Sequence, residues 1–219
     1  MATSTLRKWQ ELDMSNVVFH EAKVNNNGGK TVDIGYRNTE GKAEKLWLQL
    51  PRMRIPFGPS SSAQFADRVA NPTFSLECQL SGMRMEDPTM VEFSTFMESF
   101  DQLVVSAAAQ NSLAWFGKER SESTLRELFR PIIKEPRDMK YDPTVKVKLP
   151  KRHMQWNFMV YDQNQKVIDV DDLVPGNDVI PVVEMKNLWF IGAQFGTSME
   201  ARQLQCFVKE ELKDFIIME

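Results

Sequence analysis

The stretch Leu46–Pro59 constrains the fold more than any other part of the chain, because its apolar side chains change sides part-way along. Before Pro51 the apolar residues take the even positions, and after it they take the odd ones, at Met53 and Ile55. A strand repeats every two residues, so this inversion requires one extra residue, a β-bulge or bend. Proline cannot donate to a β-ladder and fits that point. The sequence therefore predicts a strand that bends at Pro51.

The same stretch has one side on which polar and aromatic residues collect. Trp47 precedes the bend and Arg52 and Arg54 follow it, so the bend would bring all three to one exposed side. Bases stack on exposed aromatic rings and phosphates pair with guanidinium groups, which makes this side typical of a surface for a flexible anionic polymer. The alternative is that Trp47 packs beneath a loop and the arginines are ordinary solvated charges.

Composition limits the class of protein. Of the 219 residues, 42% are hydrophobic and 26% are charged, a balance that favours one folded domain over disorder. The formal net charge of −3 excludes a chain coated uniformly in positive charge, although it is compatible with a local basic groove. Cys78 and Cys206 are predicted to be buried thiols in a reducing compartment. The N-terminus lacks the apolar run of a signal peptide and no stretch could span a bilayer, so we expect a soluble, intracellular protein without a membrane partner.

Strand signals flank one long helical signal. Asp87 and Pro88 form a capping residue and a first-turn proline, and apolar residues then recur every three or four positions towards Gly117, which predicts an amphipathic helix. Ser123–Arg130 predicts a second, short helix. Strands are predicted at Val17–Val24, Thr31–Arg37, Thr73–Leu80, Val145–Leu149, Gln155–Tyr161, Lys166–Val170, Val179–Met185, Leu188–Phe195 and Ala201–Val208, in addition to the central strand that starts at Lys45. Asn25–Gly29 predicts a hairpin turn, and the spacing of Leu6, Trp9 and Leu12 predicts a short amphipathic helix or turn.

This order of elements predicts a mainly β (α+β) fold. We expect an OB-fold-like β-barrel with one long amphipathic helix inserted between the N-terminal and C-terminal strands, and a β-sandwich is the competing architecture. The predicted parts are an N-terminal arm at 1–14, a single-strand-binding domain of the OB-fold type at 15–208, and an acidic-apolar tail at 209–219. Barrels of this kind bind oligonucleotides on a strand face and the adjoining loops.

Sequence motifs of catalysis are missing. The chain has no phosphate-binding loop, nucleophile elbow or HExxH motif, and its two histidines and two cysteines do not form a zinc pattern. We therefore predict no catalytic residue, no cofactor and no metal site, and so no enzyme. The alternative is the run Asp169–Asp172, which with Asp162 and Asp178 could hold Mg²⁺ for phosphoryl transfer. Because a Pro-Gly pair follows this run, a turn is the competing interpretation.

Charge is segregated along the chain. Between Lys118 and Arg152 there are eleven basic and six acidic residues, a net charge of +5, whereas Asp162–Glu184 has one basic and six acidic residues, a net charge of −5. Alternation in Thr144–Leu149 predicts that its lysines face outward in a row, which suits binding of a phosphate backbone. The alternative is that these charges form a solvated face without a binding function. Trp156 and Phe158 are predicted to be core, and Trp115 fits either role. The predicted nucleic-acid-binding residues are Trp47, Arg52, Arg54, Lys118, Arg120, Lys146, Lys148, Lys151 and Arg152.

The C-terminal tail offers a second kind of contact. Its acidic and aromatic residues are typical of a segment that recruits replication proteins, and equally of an amphipathic helix docked on its own domain. The residues predicted to bind a partner are Glu210, Glu211, Asp214 and Phe215.

Three motifs resemble one family of proteins. They are LPRMRIPFG at Leu50–Gly58, NSLAWFGK at Asn111–Lys118, and LWFIG at Leu188–Gly192 followed by Phe195 and Gly196. In this order they are similar to the single-stranded DNA-binding proteins of nucleocytoplasmic large DNA viruses, over roughly residues 46–208. The resemblance implies an OB-fold core, non-enzymatic binding of single-stranded DNA, and a role in viral DNA replication, recombination or repair in the host cytoplasm (viral factory) or nucleus.

The leading hypothesis is therefore a sequence-independent single-stranded DNA-binding protein. Its partners would be single-stranded DNA and, through the tail, replication proteins, while self-association as a homo-oligomer stays open. The alternative is a viral structural or protein-interaction β domain that binds no nucleic acid. A metal-dependent phosphoryl-transfer enzyme built on the aspartate run is the third hypothesis.

Overall fold

The computed structural model describes residues 6–24, 29–62, 72–153 and 155–209. The predicted turn at Asn25–Gly29 lies outside these ranges except for its last residue, and the tail residues Glu210, Glu211, Asp214 and Phe215 lie outside them entirely. Within the described ranges, no helix combines the length and apolar character needed to cross a bilayer.

The described residues form sixteen strands and three α-helices. The strands before the helices are β1 Leu6–Lys8, β2 Val17–Val24, β3 Lys30–Arg37, β4 Ala43–Lys45, β5 Trp47–Gln49, β6 Met53–Arg54, β7 Ser60–Ser61 and β8 Phe74–Gln79. The helices are α1 Pro88–Gln110, α2 Ser112–Phe116 and α3 Glu122–Leu128. The strands after them are β9 Phe129–Arg130, β10 Ile133–Lys134, β11 Thr144–Leu149, β12 Lys151–Arg152, β13 Gln155–Trp156, β14 Met159–Tyr161, β15 Asp178–Ile191 and β16 Gln194–Phe207.

Five of these strands close into a ring. β6 pairs with β8, β8 with β11, β11 with β16, β16 with β15, and β15 returns to β6. Within this ring the β11–β16 pairing is parallel and the other four are antiparallel. A closed five-stranded barrel of this kind is the architecture of the OB-fold, and α1 lies between its second and third strands along the chain. The predicted fold class is confirmed.

The bend predicted at Pro51 is a β-bulge. Gln49 on β5 is opposite Val182, and Met53 on β6 is opposite Val179, so four steps along one strand match three along its partner. One residue is therefore extra, and the side-chain phase inverts across it. Because of this inversion, apolar residues on both sides of the bulge enter the core: Leu46, Leu48, Leu50, Met53 and Ile55 are all buried.

The long helix α1 begins and packs as its sequence predicts. The carboxylate of Asp87 accepts the backbone N–H of Met90 at 3.0 Å, and Pro88 occupies the first turn. Phe93 lies edge-on to Trp9, with 5.4 Å between the ring centroids. The side of the helix that is buried consists of Met90, Phe93, Ser94, Met97, Phe100, Val104, Val105 and Ala108.

The N-terminal segment begins with a strand, and the predicted short helix or turn is limited to a 3₁₀ turn. β1 pairs in parallel with β5, from Leu6 opposite Trp47 to Lys8 opposite Gln49, and a 3₁₀ turn at Trp9–Glu11 follows it. Helical spacing over so short a stretch stabilises little by itself. Pairing with β5 instead satisfies backbone N–H and C=O groups on both strands, which explains the difference.

The C-terminal strands are longer than predicted. β15 and β16 have 14 residues each and form one hairpin, whose turn contains Gly192 at φ 59°. This turn divides the predicted strand Leu188–Phe195, because glycine readily adopts a positive φ. The predicted strand Lys166–Val170 is instead largely a loop, held by an isolated bridge between Tyr161 and Val167.

The predicted core residues are buried. Phe158 is 6% exposed and Trp156 packs partly buried against the core, while Trp115 is 4% exposed and is therefore a core residue as well. Cys78 and Cys206 are free, buried thiols, and desolvation raises the pKa of each.

Candidate nucleic-acid interface

Three adjoining cavities form one groove across the outer surface of β8, β11 and β16. Their volumes are about 530, 360 and 290 Å³, and Lys148 lines all three. We call this feature the basic groove. Among the described residues, its charged lining comprises seven basic residues, Arg130, Lys134, Lys146, Lys148, Lys151, Arg152 and Lys186, and two acidic ones, Glu135 and Glu200.

Alternation along β11 supplies the two central cations of the groove. Val145 and Val147 are fully buried, so Lys146 and Lys148 face outward between β8 and β16, as predicted from the sequence. Among the described residues, neither lysine forms a salt bridge. Both ammonium groups are therefore available to an anionic ligand.

The surroundings of Lys148 explain why its charge is not neutralised. Glu200 is opposite Lys148 in register, but its carboxylate already pairs with Lys186 and Arg202. Lys148 is exposed as a residue, yet the protein atoms that surround its side chain partly desolvate the ammonium group. Desolvation lowers the pKa of Lys148, the neighbouring cations Lys186 and Lys146 lower it further, and Glu200 opposes them. A phosphate placed here would stabilise the charged form of Lys148, because it would bring a negative charge close to the ammonium group.

Lys151 and Arg152 extend the groove at one end. They form β12, which pairs with β13, so that Lys151 is opposite Trp156. The Nζ atom of Lys151 lies 4.5 Å from the ring centroid of Trp156 and 5.1 Å from that of Phe74. Cation–π contact fixes the ammonium beside two aromatic rings. The structure thus brings together four predicted residues, Lys146, Lys148, Lys151 and Arg152.

The opposite wall of the groove is the segment Arg130–Glu135, which sequence reasoning missed. Phe129 and Arg130 were predicted to end a helix, but they pair as β9 with β16, while β10 pairs with β11. The backbone N–H of Ile132 donates to Oδ2 of Asp101 on α1 at 3.0 Å. Burial raises the pKa of Asp101 to about 7, although the bond from Ile132 opposes this shift. This wall depends on contacts distant in sequence, which no local pattern reveals.

Trp189 is an aromatic residue of the groove that sequence reasoning missed. It lies on β15 opposite Gly196 of β16 and lines two of the three cavities. A Cβ placed on Gly196 would lie 2.8 Å from Cζ2 of Trp189 and 2.9 Å from the carbonyl oxygen of Arg130. Glycine therefore makes room for the indole at this position. Two features of the sequence could have indicated Trp189: its place in the LWFIG motif and the nearby glycine, Gly196.

Arg52 and Arg54 lie outside the basic groove. They line a separate cavity beside the first turn of α1, which shares no described residue with the basic groove. Both guanidinium groups pair with Asp178, at 2.9 Å from Arg52 and 3.5 Å from Arg54. Arg52 also stacks over Phe207, 3.9 Å from the ring centroid. Their role in binding nucleic acid stays a prediction.

Trp47 is half-buried and hydrogen-bonded. Its indole Nε1 donates to Oε2 of Glu184 at 3.4 Å, and the buried Glu184 also pairs with Arg202 and Lys45. Trp47 does not line the groove. Its position is compatible with packing, and stacking on a base stays a prediction.

Lys118 and Arg120 also lie apart from the groove lining. They follow α2, which ends at Gly117 with φ 71°. Lys118 is exposed, whereas Arg120 is partly buried, with its backbone N–H donating to Oγ of Ser112 at 2.9 Å. An extension of the groove to these two residues stays a prediction.

The aspartate run forms a turn, which confirms the second interpretation of that stretch. Asp169 accepts the N–H of Asp171 at 3.1 Å, and Asp172 accepts the N–H of Asp169 at 2.9 Å. These carboxylates therefore cap the 3₁₀ helix Val170–Asp172. In the part of the chain that the structure describes, no cluster of His, Cys, Asp and Glu could hold a metal ion.

Comparison with protein families places the chain in one of them. Residues 83–216, more than half of the chain, match a family of unknown function, DUF5871. The chain belongs to this family. The matched range, 83–216, includes all seven basic residues named above for the groove. Trp47, Arg52 and Arg54 lie before this range. No curated protein sequence matches the chain.

Two solved structures are similar to this DUF5871 member. One is gp2.5, a single-stranded DNA-binding protein encoded by bacteriophage T7, with 9% identity and a TM-score of 0.49 over 79% of this chain and 98% of that chain. The other is the single-stranded DNA-binding protein from bacteriophage Enc34 in complex with single-stranded DNA. It has 8% identity and a TM-score of 0.42 over 88% of this chain and 97% of that chain.

Proposed function

We propose that the protein binds single-stranded DNA along the basic groove, without regard to base sequence. The observation that carries this proposal is the charge of the groove, where the described lining residues, seven basic and two acidic, have a net charge of +5. Both carboxylates already have protein partners, Glu135 with Arg84 and Glu200 with Lys186. An anionic backbone bound here would release its condensed counterions and meet cations that are not already paired, Lys146 and Lys148 among them.

The position and the aromatic lining favour a single strand over a duplex. β8 and β11 are the second and third strands of the barrel, and OB-folds bind oligonucleotides on that face. Trp189 and Phe74 line the groove among its cations. Only an unpaired strand exposes base faces that can stack on such rings.

We further propose a role in viral DNA replication, recombination or repair, acting in the cytoplasm or nucleus of an infected cell. Its support is the resemblance of the three sequence motifs. Recruitment of replication proteins through the C-terminal tail belongs to the same proposal, as does a non-enzymatic mechanism. Binding would protect and present the single strand, while other proteins perform the chemistry.

The first test is a titration of labelled oligo-dT into the protein at several salt concentrations, with a duplex of equal length as the control. We expect the single strand to bind more tightly than the duplex. If most of the seven groove cations contact phosphates, log K should fall with log salt at a slope of about −3 to −5, since each contact contributes about −0.7. Absence of single-strand binding at low salt would overturn the proposal.

A second measurement assigns the stacking residue. Base stacking on an aromatic ring is worth about 1–3 kcal/mol, so Trp189→Ala should weaken oligo-dT binding by roughly 5- to 150-fold and remove most of the quenching of tryptophan fluorescence. Trp47→Ala is the matched control and should retain both. The reverse result would show that DNA follows β5, as the sequence alone predicts.

A further inference from the structure

The largest cavity of the basic groove differs from the other two in its lining. It has a volume of about 530 Å³ and lies between β11 and β16, with the segment Arg130–Glu135 as one wall. Its apolar walls are Pro131, Ile132, Ile133, Met199 and Trp189, and its cations are Arg130, Lys134, Lys146 and Lys148. An apolar chamber with cations around it suits a flat heterocycle attached to phosphates.

Two hydroxyl groups of this lining have no hydrogen-bond partner. Ser198 is 3% exposed, and neither its Oγ nor Oγ1 of Thr197 has a partner within the described residues. Ser198 is two residues from Gly196, over which Trp189 lies, and it shares the outward face of β16 with it. Buried hydroxyls are nearly always hydrogen-bonded, so the unpartnered hydroxyl of Ser198, on the face of β16 that lines the cavity, indicates a ligand that supplies the missing partner.

We propose that one base of the bound strand leaves the row of stacked bases and enters this cavity, where the hydroxyl of Ser198 hydrogen-bonds its edge. Trp189 would border the base, and Lys146 and Lys148 would hold the phosphates beside it. This proposal rests on single-strand binding by the same groove. The Oγ atom is covered by neighbouring protein atoms, so entry of the base requires the serine side chain to rotate toward it.

A hydroxyl suits this role because it can both donate and accept. Ser198 can therefore bond either a carbonyl oxygen or an amino group on a base edge, and each of the four bases presents at least one of these or a ring nitrogen. The pocket would add affinity for bases without imposing a strict sequence. It would also place the strand in one register relative to the barrel.

The test compares Ser198→Ala with the native protein on two probes, oligo-dT and an abasic strand of equal length that keeps the sugar-phosphate backbone. A neutral hydrogen bond corresponds to about a 2- to 12-fold change in affinity. We expect Ser198→Ala to bind oligo-dT about 2- to 12-fold more weakly, with an unchanged salt slope, and to bind the abasic strand as tightly as the native protein does. Ser94→Ala is the matched control, because Ser94 is also 3% exposed but lies on α1 and donates to Glu98.

The outcomes separate this proposal from the proposed function. Native affinity for oligo-dT in Ser198→Ala would overturn the base pocket and leave single-strand binding intact. An equal loss of affinity for oligo-dT and for the abasic strand would also overturn it, since the effect would then concern the backbone. Failure of the native protein to bind either probe would overturn single-strand binding itself, and the pocket with it.

Discussion

Two pairs of outward cations on the barrel differ in what surrounds them. Counting described residues only, Lys146 and Lys148 on β11 lie in a groove lined by seven basic and two acidic residues. Arg52 and Arg54, at β6, line a cavity whose described charged residues are two basic and two acidic, a net charge of zero. Both pairs alternate with buried apolar residues, and both are exposed.

The difference comes from strand register. Asp178 is opposite Arg54 in the β15–β6 pairing, so one carboxylate reaches both arginines. The residue opposite Lys148 is also acidic, but Glu200 is held by Lys186 and Arg202. Alternation therefore decides that a cation is exposed, whereas the neighbouring strand decides whether its charge is already paired.

The strongest test of this comparison removes each pair of cations in turn. Lys146→Ala/Lys148→Ala should weaken oligo-dT binding by about 10- to 100-fold at low salt and reduce the salt slope by about 1.4, since two phosphate contacts are lost. Arg52→Ala/Arg54→Ala is the matched control and should change affinity by less than about threefold, because both guanidinium groups already pair with Asp178. Equal losses in the two double variants, measured by fluorescence titration, would contradict the comparison.

A second prediction perturbs the groove without changing its charge. Gly196→Ala places a Cβ 2.8 Å from Trp189 and 2.9 Å from the carbonyl oxygen of Arg130. We expect the free energy of unfolding to fall by about 1–3 kcal/mol, the usual cost of overpacking. Gly58→Ala is the control, because the nearest atom to its Cβ would be the carbonyl oxygen of Leu173 at 3.6 Å. Chemical denaturation that shows equal stability for both variants would count against the close approach of Trp189.

The stability of the folded protein should depend on pH through Asp101, which accepts a hydrogen bond from Ile132 in the wall of the groove. Its pKa is raised by burial to about 7, from an ordinary 3.8, so the folded protein keeps a proton that the unfolded chain releases. The contribution of this group to stability therefore falls as pH rises from about 4 to about 7. Asp101→Asn keeps an acceptor for the N–H of Ile132 without a charge, and should be more stable than the native protein at pH 8 by about 1–3 kcal/mol.

That advantage should shrink at pH 5, where the native Asp101 is largely protonated. Denaturation curves at the two pH values measure the difference directly. An advantage of the same size at both values would mean that Asp101 does not titrate in this range.

The smallest effect is expected from a variant that gives the cavity of Arg52 and Arg54 a net positive charge. Asp178→Asn removes the carboxylate that pairs with Arg52 and Arg54, and should raise affinity for oligo-dT about two- to fivefold at low salt, since exposed ion pairs are weak. Asp171→Asn changes the net charge equally without releasing an arginine and serves as the control. A gain of equal size in both variants would show an effect of net charge alone.

Part of the fold and of the site could be predicted from local patterns. The inversion at Pro51 predicted the bulge, Asp87 and Pro88 predicted the start of α1, and the alternation of Thr144–Leu149 predicted that its lysines face outward. Each of these depends on residues within a few positions of one another. The strand at Leu6–Lys8 could not be predicted this way, because its partner β5 lies some forty residues further along the chain.

The sequence by itself determined which side chains are apolar and at what period they recur, and so the barrel strands, the helix and the outward lysines. The tertiary structure decided which cations share one groove. Arg130 and Lys134 join it through pairing with β16 and β11, and Trp189 joins it because Gly196 leaves room for its ring. The physical reason is that periodicity is a local property of the backbone, whereas charge pairing and cavity lining depend on the register between strands distant in sequence.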